Sequence, residues 1–301
     1  MARIRSRSVM VKAGPGACMG PCYLHRGVAS VLFTLSIACS ALAVSAAAAS
    51  PEPFVQRLDG TTLEMRLVPV QVPGSEAGQK QTIWIGATEV TWDWFDAFVY
   101  GLDEADAEAD DADALTMPSR PYIAMDRGFG RAGFPAISMT HKNAEAFCAW
   151  LSARTGKRYR LPTAEEWLAA CAASGIDERN LDDHAWHRGN SNAKTQPVGA
   201  TQADANGLYD LLGNAAEWAT DPDGKPVVLG GSYLTPASEL GCKAKQRPSP
   251  DWNASDPQFP PSEWWLADAG FVGFRVVLEQ NPKSPGGDTT PRPASQDKKR
   301  P

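Results

Sequence analysis

No G-x-S-x-G, P-loop or H-E-x-x-H string occurs in the 301 residues, and histidine is scarce, with four in all. A serine-hydrolase elbow, a nucleotide-phosphate loop and a zincin helix therefore lack their usual anchors. Cysteine is nearly as scarce: of six, only Cys148, Cys171 and Cys242 lie beyond the first 49 residues. Basic charge is short as well. The formal charge is −6, and it falls to −11 once the five basic residues of the N-terminal stretch are set aside. A nucleic-acid partner would need a basic face, so that class is excluded. Long ladders of alternating hydrophobicity are also missing, and there is no internal repeat.

Residues 1–49 contain no acid at all. Basic residues come first (Arg3, Arg5, Arg7, Lys12, Arg26), then an apolar run from Val28 to Val44, then SAAAAS. That order is the layout of a secretory signal peptide cut near Ala46–Ala49. Translation starting at Met10 or Met19 would shorten the basic part. Val28–Ala49 is about long enough to remain as an anchor, and SIAC (Ser36–Cys39) faintly resembles a lipoprotein box, so membrane attachment would run only through an uncleaved leader. The expectation is an exported protein, periplasmic or secreted. In an oxidising compartment three cysteines leave at least one thiol unpaired.

A globular body is expected from about Pro53 to Glu279. The acidic run DEADAEADDADA (Asp103–Ala114) reads as a solvated loop rather than a calcium site, for it lacks the Gly-centred ligand spacing of a calcium-binding loop. Residues 280–301 are rich in Pro, Gly and charge and are expected to be disordered.

Three helices are predicted. Thr91 would cap WDWFDAFVYG; Asn143–Arg154 carries Ala144, Phe147, Cys148 and Leu151 on one face before Gly156; TAEE (Thr163–Glu166) is a capping box leading into Trp167, Leu168 and Cys171. Cys148 and Cys171 then read as inert small hydrophobes. Strands are expected at Met65–Val72, Gln81–Val90, Val227–Gly231 and Val272–Leu278. Ten tryptophans in a loop-rich chain point to an irregular α+β domain whose loops are pinned by indoles.

Few groups suggest chemistry. His184 and His187 sit beside Asp182 and Asp183, a metal-capable set in a polar loop. Ser232, in Gly230-Gly231-Ser232, and Cys242 are weak catalytic candidates with no identifiable partners. In GLYDLLGNAAEWATD, Asp210 and Glu217 bracket the Gly213-Asn214 turn. Carboxylates and turn carbonyls of this kind suit calcium, or else cap amides in a plain turn.

Taken in order, TEVTWDWFDAF, RYRLPTAEEWLAAC, GNSNAKTQPVG, GLYDLLGNAAEW, VLGGSYL and FVGFRVV resemble the formylglycine-generating enzyme family, also called sulfatase-modifying factor domains, over about Leu58 to Leu278. The resemblance implies an irregular, loop-rich α+β fold related to C-type lectins. Active members oxidise a sulfatase cysteine to formylglycine with oxygen and a copper(I) ion held by two cysteines in GGSxxCxxxxC. Matched here, those slots fall on Thr235 and Leu240. Cys242 lies two residues beyond the second slot, where an insertion would let it serve, but a threonine hydroxyl does not replace a soft thiolate at the first. The resemblance also implies a structural calcium on Asp210, Gly213, Ala215 and Glu217, with Ala216 where an aromatic is usual. A fused partner domain with a His-rich iron site, found in other branches, has no counterpart here.

The expectation is a domain that has lost the copper pair and binds a peptide, glycan or protein partner in a Trp-lined cleft. The alternative is a divergent formylglycine-generating oxidase that uses Cys242 and Ser232 differently. A structural subunit of an envelope complex is a third reading.

Overall fold

The computed structural model describes residues 51–74, 78–101, 118–121 and 123–279. The leader, the acidic run and the C-terminal tail lie outside the described residues. Within them, strand β2 (Glu64–Pro73) organises the molecule by simple alternation. Met65 and Leu67 point into one hydrophobic cluster, Val68, Val70 and Val72 into another. Strand β3 (Lys80–Gly86) pairs antiparallel with β2 and obeys the same rule, with Trp84 on the first side and Ile83 and Ile85 on the second. A sheet apolar on both faces must be covered on both.

Helices α1 (Trp92–Tyr100) and α2 (His141–Thr155) bury Phe95, Phe98, Phe147 and Leu151 on the first face. Helix α3 (Ala164–Ala172) buries Trp167, Ala170 and Cys171 on the second. The three helices form where the sequence places them. Thr140 caps α2, which begins at His141, two residues before the expected start, and Thr163 and Glu166 form the capping box of α3. Thr91 precedes α1 without a side-chain cap bond. Gly101 and Gly156 stop α1 and α2 in the left-handed conformation.

The first sheet has five strands in the order β1-β2-β3-β9-β4, adding β1 (Phe54–Arg57), β4 (Tyr159–Arg160) and β9 (Val277–Leu278). The second has four, β7-β6-β5-β8: β5 (Ala216–Thr220), β6 (Pro226–Leu229), β7 (Lys245–Gln246) and β8 (Val272–Gly273). A short helix α4 (Leu181–His184) interrupts the long loop before β5.

The single strand expected over Val272–Leu278 is two strands in different sheets. β8 runs parallel to β5, and β9 sits between β3 and β4. Phe274, Arg275 and Val276 cross between them, and their carbonyls are claimed by other segments: Val90 N–H donates to Phe274 O at 2.9 Å, Gly86 N–H to Val276 O at 2.8 Å. Gly273 permits the crossing, since a Cβ there would meet Ala136 O at 2.7 Å.

That crossing places Arg275, fully buried, between the sheets. Its Nε donates to Glu217 Oε2 at 2.7 Å and Nη2 to Glu217 Oε1. The other donors reach Gly86 O at 2.9 Å and Tyr209 O at 3.0 Å, and Trp167 Nε1 donates to Glu217 Oε2 at 2.8 Å. One ion pair thus joins β3, β5, α3 and the β8–β9 crossing.

Tryptophans serve as pins. Trp84, Trp92, Trp94, Trp167, Trp218 and Trp265 are buried, and indole N–H groups donate to loop carbonyls: Trp84 to Glu52, Trp218 to Met139, Trp265 to Ser119. These six indoles are spent on the core, which leaves Trp150, Trp186, Trp252 and Trp264 half-buried.

Removing one partner of a buried ion pair leaves the other charge uncompensated, which costs about 3–5 kcal/mol. Arg275→Met is expected to lose that much stability in urea denaturation. Arg275→Lys should restore little, since an ammonium cannot make the two-pronged contact.

Candidate functional site

The segment after β6, GGSYLTPASELGC, folds as a tightly tied loop. Gly230 and Gly231 both have positive φ, of 87° and 71°. A Cβ on Gly230 would meet Leu211 O at 2.7 Å, so glycine is required by space as well as by angle. Ser232 N–H donates to Thr235 Oγ1 at 2.9 Å, and Leu234 N–H donates to Ser232 Oγ at 3.2 Å. Tyr233 N–H donates to Asn214 O at 2.8 Å, and Arg188 holds the far side through Thr235 O and Leu234 O. Ser232 is buried, and its hydroxyl oxygen accepts the Leu234 amide within this turn.

Cys242 is bonded to Cys171 of α3. The expectation that Cys171 is an inert core residue, and that Cys242 is a candidate reactive thiol, is corrected on this point. Cys171 faces the second cluster and meets Cys242 where the loop returns over α3. Closing 71 residues of chain is worth about 4 kcal/mol in the loop-entropy picture. Cys148, the one free cysteine among the described residues, is buried, and burial pushes its thiol up, so it stays protonated.

Two cavities flank the returning loop. One, of about 450 Å³, is largely apolar and is lined by Ile176, Leu181, Leu212, Leu240 and Cys242, among others. The other, of about 280 Å³, lies over Gly231 and Thr235 and is lined by Glu239, Lys243, Lys245 and Gln246. No tryptophan lines either.

The histidines do not converge. His187 Nδ1 accepts from Gly189 N–H at 3.1 Å, so its Nε2–H faces Asp182 Oδ1 at 2.6 Å. His184 Nδ1 instead meets Gln202 O at 2.9 Å. Among the described residues no group of three or more His, Cys, Asp or Glu is placed to hold a metal ion.

The sequence profile of the sulfatase-modifying factor enzyme 1-like domain matches residues 46–280. The chain belongs to this family. It is similar to the formylglycine-generating enzyme of Bos taurus, 29% identical in an alignment 167 positions long that covers 42% of this chain and 43% of the bovine protein. It is also similar to the serine/threonine-protein kinase Pkn1 of Chlamydia trachomatis serovar L2, 26% identical in an alignment 145 positions long that covers 40% of this chain and 23% of that one. The matches thus span less than half the length of these curated relatives. Among solved structures, Treponema denticola variable protein 1 superposes with a TM-score of 0.53 at 18% identity, covering 77% of this chain and all of that one, a likeness of fold alone.

At the two positions that the motif resemblance matches to the copper cysteines stand Thr235, whose hydroxyl accepts the Ser232 amide, and Leu240, packed against the second cluster. Neither can supply a thiolate. At the calcium positions the fit is also poor. Both oxygens of Glu217 are taken by the Arg275 guanidinium, one also by the Trp167 indole. Asp210 accepts from Gly199 N–H at 2.7 Å and Thr201 Oγ1 at 3.1 Å. A calcium ion sharing Glu217 would lie against a guanidinium in a fully buried pocket, so Asp210, Gly213, Ala215 and Glu217 do not fit a calcium ion while Arg275 holds both Glu217 oxygens.

Two features of this site escaped the sequence reading. Glu89, in TEVT, is buried beside Asp210, Glu217 and Arg275; Ala215 N–H donates to its Oε1 and its Oε2 has no partner. Burial, then the charges of Asp210 and Glu217, push its carboxyl up strongly against the opposing pull of Arg275. The expectation that no G-x-G-x-x-G string occurs is also corrected, since Gly128–Gly133 is one. It falls in turns rather than between a strand and a helix, so it is no dinucleotide fingerprint.

Burial raises the Asp210 carboxyl to about 6, against the lowering by the Gly199 amide, Thr201 and Arg275. A folded-state value above the unfolded one means the folded protein holds the extra proton between the two. Stability from this group is therefore full below about pH 4 and is lost as pH rises through 6. Between pH 4 and 7 the stability of the wild type should fall relative to Asp210→Asn by at most ~3 kcal/mol, read from urea denaturation at each pH.

Proposed function

We propose that this sulfatase-modifying factor domain works outside the cytoplasm by binding a peptide, glycan or protein partner, without copper-dependent oxidation. One observation carries the reading: the loop that holds a thiolate pair in active members offers a hydroxyl and an isobutyl group, and the cysteine nearest to it is tied to Cys171. Copper(I) is soft and needs thiolates, and a disulfide sulfur is not one. The disulfide and the leader-like N-terminus both favour an oxidising compartment. No helix among the described residues is long and apolar enough to cross a membrane, so membrane attachment would rest on the leader.

The competing oxidase reading requires Cys242 as a thiolate. Anaerobic copper(I) titration of the wild type and of a Cys171→Ser/Cys242→Ser variant separates the two. Weak binding by both, with no oxygen uptake on adding a cysteine-containing sulfatase peptide, is expected. Tight binding by the wild type alone, with oxygen consumed, would make the protein an oxidase.

A further inference from the structure

The cavity of about 280 Å³ above Thr235 has an unusual lining for so acidic a protein. Lys243 and Lys245 both line it and Glu239 stands at the same opening, with Gln246 and Thr235 between. All three charged side chains are exposed. None of them pairs with another, and among the described residues neither ammonium has an ion-pair partner. Elsewhere on this surface charges are commonly paired, as Arg57 with Glu64, Lys142 with Glu263 and Arg179 with Asp177. The backbone around the cavity is fixed. Gly230 N–H donates to Ala244 O at 3.2 Å, Ala244 N–H to Gly241 O at 2.9 Å, β7 pairs with β6, and the disulfide closes the segment at Cys242. The two lysines, Lys245 at the start of β7 and Lys243 two residues before it, are thus held on a rigid frame.

We propose that this cavity is the binding site for a carboxylate side chain of an acidic peptide, held between Lys243 and Lys245. A chain whose formal charge beyond residue 49 is −11 repels polyanions at long range, so a nucleic-acid backbone fits poorly, whereas one or two carboxylates fit a local excess of one positive charge. The volume suits a single side chain and its flanking backbone. Glu239 acts as the counter-charge that sets the limit, rejecting ligands that carry more negative charge than the lysines can match. β7 is an edge strand, and an extended peptide laid beside it would bring alternate side chains to the cavity.

This rests on the reading of the domain as a binding module. The test uses fluorescence anisotropy of the protein with a labelled peptide, Gly-Glu-Val-Glu-Gly, and with its Gly-Gln-Val-Gln-Gly counterpart. Binding of the first and not the second is expected, weakened about tenfold or more by Lys243→Ala or Lys245→Ala, tightened by Glu239→Gln, and falling with added salt. Competition by inorganic sulfate at the same concentrations as the peptide would mean a bare oxyanion site and overturn the peptide assignment. Equal binding of the two peptides, or affinity indifferent to both lysines, would overturn the proposal outright. Absent peptide binding together with absent copper(I) binding defeats this inference alone. Copper-dependent oxygen uptake would defeat the reading it rests on.

Discussion

The rest of the structure depends on the pair made by Glu217 and Arg275. Both residues are fully buried, in a domain with little regular hydrogen-bonded structure. Glu217 lies in β5 of one sheet and Arg275 in the crossing to the other. Through Gly86, Tyr209 and Trp167 the pair also fixes the end of β3, the turn before Gly213 and helix α3. A buried ion pair is a poor source of net stability, but it tolerates only one arrangement, because every misplacement leaves a bare charge in the core. Specification of this kind suits a chain whose strands are two to ten residues long.

Around that centre the loops are fastened by donors that have only one way to be satisfied. The indoles of Trp84, Trp218 and Trp265 each hold a distant carbonyl, and Asn214 holds residue 196 by exchanging bonds through its amide. The GGSYLT loop is built on the same plan, with two glycines in left-handed conformations, a Ser–Thr turn and a disulfide to α3. Thr235, Glu239 and the two lysines line the cavity beside this loop, and under the proposed binding role they are the groups that would meet a partner.

Much of the helical part is legible in the sequence because helices announce themselves locally. Thr163 and Glu166 form the capping box, and Gly101 and Gly156 end helices where their αL preference allows. Strands were less legible. β5, AEWAT, has no alternation because both its faces are covered, and it reads as a turn extending from Gly213-Asn214. FVGFRVV looks like one strand because nothing local reveals that its middle carbonyls belong to Gly86 and Val90. The site was half legible. Thr235 and Leu240 in the copper slots can be read directly, while the Cys171–Cys242 bond, spanning 71 residues, is invisible to periodicity and was masked by the apolar stripe on which Cys171 sits. The partnership of Arg275 with Glu217 is likewise non-local, and the same acid read alone suggests a calcium ligand.

That last contrast is the most direct place to test the account, whose central claim is that a guanidinium, and no calcium ion, neutralises the acid at the heart of the fold. The measurement is the melting temperature of the wild-type protein in excess EDTA and in millimolar calcium, with calcium binding followed by calorimetry on the same sample. The account predicts the same melting temperature in both and no stoichiometric binding. A melting temperature several degrees higher with calcium, accompanied by one bound ion per chain, would contradict it and return Glu217 to the role of a metal ligand.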